Sequence, residues 1–217
     1  MNYFAHAMHC LDRPYFLAGS AVPDWLAVAD RPLRLKSARV ATFVGDPDPC
    51  VAELAGGVLQ HLRDDARFHA TRAFAETSLE LTVLARDVLG REAGFRPAFL
   101  GHLLTELLLD AALIEEAPER LAAYYRVLET VAAAHVEAIV NRMAPRPTQR
   151  LAWFVELFRR ERILSDYEKD DKLKVRLNQI MRRLRLSPLP DAFGVILPSA
   201  RRLVRQRRQS LLEGIPA

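Results

Sequence analysis

Glycine is scarce in this chain, nine residues in 217, and no Gly/Ser-rich stretch, internal repeat or low-complexity tract interrupts it. Flexible inter-domain linkers are made of such stretches, so their absence points to one domain over residues 1–217. Alternation of apolar and polar residues is nearly absent as well, which argues against sheet architectures. Cysteine is limited to Cys10 and Cys50, with no CxxC pairing, a usage that suits a reducing compartment. No run of apolar residues is long enough to span a bilayer. The opening "MNYFAHAMHCLDRPYF" lacks the basic stretch and apolar block of a secretory signal, so a cytoplasmic location is expected. There is no GxxxxGK[ST], GxGxxG or GxSxG, which leaves nucleotide-switch, dinucleotide and serine-hydrolase readings without support.

What the chain has is helix-forming composition. Half of its residues are hydrophobic and 27% are charged, with Leu, Ala, Arg and Glu plentiful. Helical patterns cover residues 50–70 and 72–90, a stretch opening near Pro97, and residues 118–142, 148–167, 172–186 and 191–212. Ahead of them, a short segment stops near Pro14 and a second runs to Asp30. Pro23 lacks a backbone donor and predicts a break, or a helix start, near Asp24. Residues 31–49 are turn-rich, and "GDPDP" marks an irregular connection. The expected fold is all-α, a single-domain helical bundle with polar groups projecting inward.

Charge is unevenly spread. Residues 1–150 hold 16 Lys and Arg against 19 Asp and Glu, whereas residues 151–217 hold 15 against 8. This basic C-terminal third would draw acidic partners by long-range attraction. "RRLVRQRRQS" and "MRRLRL" carry much of it, without the interleaved aromatics of a single-strand nucleic-acid platform.

The most informative stretch is "GHLLTELLLDAAL", residues 101–113, where His102, Glu106 and Asp110 interrupt an apolar helix at steps of four. Such steps keep all three on one stripe, and buried ionisable groups need partners or a metal. "GGVLQHLRDDARFHATRAF" repeats the pattern with His61, Asp65 and His69, leaving Asp64 one position off the stripe as a surface acid. His6 in "YFAHAMH" and Asp24 in "AVPDWL" sit beside apolar neighbours, whereas His135 has no acid or histidine at helical spacing. A single His–carboxylate pair on a helix is ordinarily a hydrogen-bonded feature of the core or its boundary. Two polar lines in one bundle can converge across a helix contact and hold a divalent ion. Imidazole and carboxylate without thiolate suit Mn first, with Fe, Zn or Mg as alternatives.

With these residues in view, the chain resembles the acyl carrier protein phosphodiesterase (acyl carrier protein hydrolase) family, a divergent relative of the HD-domain metal phosphohydrolases. "MNYFAHAMH" is similar to the family's opening, and "LAGSAVPDW" to its Gly-x-x-x-x-Asp element, with Asp24 at the acidic position. "GVLQHLRDDARFH" is similar to its His-Arg-x-Ile-Asp segment and carries His61 and Asp65, with His69 where the family often has a second Asp. "FLGHLLTELL" corresponds to its Asp-His helix through His102, and "DYEKDDKLKVRLNQIMRRLRL" to its C-terminal region. Leu59 and Leu62 stand where the family has His and Arg, and Gly101 where it has an acid that Glu106 or Asp110 is placed to replace.

The resemblance implies an HD-domain-like fold and a divalent-metal phosphodiesterase that removes 4′-phosphopantetheine from acyl carrier protein. On this reading His6, Asp24, His61, Asp65, His102 and Asp110 are the candidate metal ligands. Asp65, His69 and Glu106 are the candidate catalytic groups around a metal-activated water. Two other readings stand beside it. One is a non-catalytic helical protein that binds nucleic acid or an acidic partner through residues 151–217. The other is a family member that has kept the fold and lost activity.

Overall fold

The computed structural model describes residues 1–90 and 96–215, and among these there are α-helices and short 3-10 helices and no strand. The fold is all-α. The helices are α1 (Tyr3–Ala7), α2 (Pro14–Ala29), α3 (Ser37–Val40), α4 (Pro49–Ala70), α5 (Arg72–Leu89) and α6 (Arg96–Glu116). They continue with α7 (Pro118–Glu129), α8 (Ala133–Met143), α9 (Leu151–Glu161), α10 (Asp170–Arg183) and α11 (Leu197–Leu212). The helices fall into two compact units, each assembled from separated stretches of chain.

The first unit takes Tyr3–Ala66 and Ala117–Arg162. Its core is aromatic: the Phe158 ring lies 4.8 Å from Tyr3, 5.6 Å from Trp25 and 6.0 Å from Tyr125, centroid to centroid. Such pairs add about 0.5–1.5 kcal/mol beyond the area they bury. Glycine brings α2 and α4 together. A Cβ on Gly19 would lie 2.2 Å from the Leu54 carbonyl oxygen, and one on Gly57 only 2.0 Å from that of Phe16. No other residue fits at either crossing.

The second unit takes Met1–Asn2, Arg67–Glu116 and Ile163–Ile215, so the last turn of α4 belongs to it. Its centre is α6, which packs on α5 and α11. Leu100, Leu104, Leu107, Leu108, Leu109, Leu113 and Ile114 of α6 are all buried, so the helix is apolar nearly all round. By length and hydropathy α6 could cross a membrane, a property masked in the sequence by the carboxylates that interrupt its apolar runs. Nevertheless 72% of its apolar window is buried inside the protein, the mark of a core helix. Gly101 sets its approach to α5, because a Cβ there would meet Thr82 Oγ1 at 2.2 Å and the Ser78 carbonyl oxygen at 2.4 Å.

Three expectations about the elements need correction. Pro23 does not break α2, which runs unbroken from Pro14 to Ala29 around it. Buried residues on both sides, including Ala18, Val22, Trp25 and Leu26, hold the helix through the missing hydrogen bond. Residues 118–142 form two helices, α7 and α8. The Thr130 hydroxyl donates to the Val127 carbonyl (2.8 Å) and the Arg159 guanidinium takes the Val131 carbonyl, so Val131 turns the chain while staying buried. The helix expected over 148–167 is shortened to Leu151–Glu161. Arg162, in the left-handed region at φ 43°, ends it, and the 3-10 turn Ile163–Asp166 follows.

Candidate functional site

The residues predicted to carry chemistry gather into two groups, one in each unit. In the first unit His6, His61 and Asp65 each offer a ligand atom, and these atoms lie within 4.8 Å of one another. His6 comes from α1, and His61 and Asp65 are one turn apart on α4. The imidazoles of His6 and His61 stack with centroids 4.0 Å apart and planes inclined by 26°. Both histidines are buried, at 2% and 4% exposure, while Asp65 is half-buried.

The orientation of His61 is set by the backbone of α2. Its Nδ1 lies 2.7 Å from the Ser20 carbonyl oxygen, an acceptor, so Nδ1 carries a proton and donates it there. Metal-binding histidines commonly have this arrangement, with the second ring nitrogen donating to a carbonyl that fixes tautomer and ring plane. The contact depends on the glycine crossing at Gly19 and Gly57, which brings α2 within reach of α4. Pro23 has no N–H to offer the Gly19 carbonyl, so the helix ladder is open next to Ser20.

In the second unit His69, Glu106 and His102 form the other group, again with ligand atoms within 4.8 Å. Glu106 Oε1 lies 2.8 Å from His69 Nε2, 3.2 Å from His102 Nε2 and 3.3 Å from the Met1 ammonium. Burial alone would push the Glu106 carboxyl up. Hydrogen bonds from His102 and His69, with the charges of the ammonium and His102, outweigh it and hold the carboxyl at about 2. Phe74 braces both imidazoles edge-on, its ring centroid 4.7 Å from His69 and 5.0 Å from His102. Phe74 is itself placed by the start of α5, where Thr71 Oγ1 accepts from the Phe74 N–H at 3.1 Å.

Not every predicted ligand joins these groups. Asp24 is half-buried on α2, and Asp110 is fully buried on α6 one turn beyond Glu106; neither belongs to either trio. Gly101 has a physical explanation. The space an acid would need is filled by Ser78 and Thr82, and the carboxylate beside His102 comes instead from Glu106, one turn on.

One reading of the sequence is overturned. Asp64 is not a surface acid; it is 2% exposed, because the buried face of α4 is wider than the line through His61 and Asp65. His135, which has no acid or histidine at helical spacing, has its Nδ1 2.9 Å from the Tyr15 hydroxyl, a partner 120 residues away that no local spacing reveals. The basic C-terminal third is also largely spoken for. At least ten of its fifteen Lys and Arg side chains form ion pairs with acids of the chain. From α11, Arg205 pairs with Glu115, Arg207 with Glu80 and Arg208 with Glu116.

No known protein family, curated protein or solved structure matches this chain.

Proposed function

We propose that the protein is a divalent-metal-dependent phosphoric ester hydrolase, a phosphodiesterase of the kind implied by its resemblance to acyl carrier protein phosphodiesterases. The observation that carries this reading is the His6–His61–Asp65 group. Two buried imidazoles and a carboxylate converge there, with one ring oriented by a backbone carbonyl. The donor set fits Mn2+, Fe2+, Zn2+ or Mg2+. When bound, such an ion supplies acidified water and draws charge from a phosphoryl oxygen.

The chain's own residues have distinct tasks in this scheme. The Ser20 carbonyl holds His61 in one tautomer, and the buried stack of His6 on His61 limits both rings to small movements. Asp65, the most exposed member of the group, is the one a phosphoric ester would meet first. An acidic carrier protein is the partner this reading favours. Its attraction to exposed Arg182, Arg185 and Arg202 would weaken as salt rises.

Elemental analysis of protein grown with Mn, Fe, Zn or Mg, together with hydrolysis of bis(p-nitrophenyl) phosphate and of phosphopantetheinylated acyl carrier protein, tests the proposal. His61→Ala is expected to lose the ion held by this group together with hydrolysis, and a chelator to lower the melting temperature of the wild type. A wild type that is metal-free after supplementation, with a melting temperature indifferent to chelator, would overturn it.

A further inference from the structure

We propose that His69, His102 and Glu106 form a second divalent-metal site in this protein, a two-histidine, one-carboxylate ligand set held within the second unit. It differs in every ligand from the His6–His61–Asp65 group on which the proposed function rests.

The distances fit coordination. Ligands about 2.1 Å from a metal lie about 3.0 Å apart at right angles and about 3.4 Å apart in a tetrahedron. Glu106 Oε1 stands 2.8 Å from one imidazole Nε2 and 3.2 Å from the other. The two rings face each other at 4.7 Å between centroids with planes inclined by 34°, so both present the same nitrogen to the same oxygen.

The site is also built rather than incidental. His102 and Glu106 are one turn apart on α6, the spacing that puts two side chains on one stripe. His69 enters from the last turn of α4. Gly101, immediately before His102, lets α5 approach closely enough for Phe74 to wedge against both rings, and buried Phe68 supports Phe74 at 4.9 Å. Access exists on one side: the His102 side chain is 45% exposed, against 17% for Glu106. An ion can enter there and keep solvent in its remaining positions, as three-ligand sites do. Two imidazoles and a carboxylate without thiolate select Zn2+, Mn2+ or Fe2+.

The test uses the full chain carrying His61→Ala and Asp65→Asn, titrated with Zn2+ and, separately, with Co2+ as a spectroscopic probe. One equivalent is expected to bind, with ligand-field bands of nitrogen and oxygen coordination for cobalt. Adding Glu106→Gln, which keeps the shape of the side chain, should weaken binding more than tenfold, and His102→Asn should do the same. Melting curves without metal report whether each variant folds. Absence of binding in the folded His61→Ala/Asp65→Asn protein, or unchanged affinity after Glu106→Gln, would overturn the proposal. The two readings fail separately. A wild type that binds a single ion lost with His61→Ala and kept with Glu106→Gln removes this site and leaves the proposed function standing. The opposite pattern removes the other group.

Discussion

At the scale of single residues, the hydrogen bonds to Glu106 make a pH prediction. Its carboxyl is held at about 2 against an ordinary 4.5, so the folded state favours the ionised form. The resulting stabilisation is fully present above the unfolded-state value and is lost as pH falls from about 4.5 to about 2. In chelator, wild type should therefore be more stable than Glu106→Gln at neutral pH, with the gap closing across that window. Urea unfolding at a series of pH values measures it; a gap independent of pH would contradict the hydrogen-bonding account. Gly101 supports a second prediction. Gly101→Asp, which restores the residue expected from the resemblance, forces a Cβ against backbone of α5 and should destabilise by about 2 kcal/mol or more. The stripes themselves were legible in the sequence, because a step of four residues is a local property of any helix. Their regrouping was not. His69 shares a helix with His61 and Asp65 but meets Glu106 and His102, and that choice depends on glycine-sized gaps between helices far apart in sequence.

At the scale of elements, the long helices α4, α5, α6, α10 and α11 follow from apolar periodicity and from the Pro and Gly residues near their ends. The misplaced boundaries have specific causes. A hydroxyl at Thr130 and a guanidinium from α9 stop α7, and the guanidinium has no signature within residues 118–142. Pro23 was misjudged in the other direction, since tertiary burial overrode a local penalty of about 3 kcal/mol. Its replacement is informative. Pro23→Ala should restore a hydrogen bond to the Gly19 carbonyl and leave stability unchanged or higher. Closing the ladder beside Ser20 should at the same time disturb the carbonyl that orients His61, and loss of such an orienting partner weakens metal binding by about 10- to 100-fold. Calorimetric titration beside a melting curve separates the two effects. Equal metal affinity in Pro23→Ala would remove the proline from the account of the site.

At the scale of the whole molecule, the charge asymmetry seen in composition becomes an internal resource. Arg205, Arg207 and Arg208 bind α11 to acids of α5 and α6, and exposed pairs of this kind contribute about 0–1 kcal/mol each. Raising salt should lower the melting temperature of the wild type slightly, and that of an Arg205→Ala/Arg207→Ala/Arg208→Ala variant less. A greater sensitivity in the variant would show that the pairs are not the source. Composition could not reveal this, because it counts charges without saying which of them face each other.

The interleaving of the two units has a further consequence, for synthesis. Residues of the second unit are made before, between and after those of the first, so no single cut of the gene yields either unit intact. On a ribosome adding about 5–20 residues per second, His6, His61 and Asp65 are all polymerised early. The helices that complete their unit arrive only with residue 162. During that interval the nascent chain carries the three candidate ligands without the helices that complete their unit, and an exposed apolar α6. Chaperone capture of stalled chains, rather than the finished protein, is where this arrangement would leave its mark.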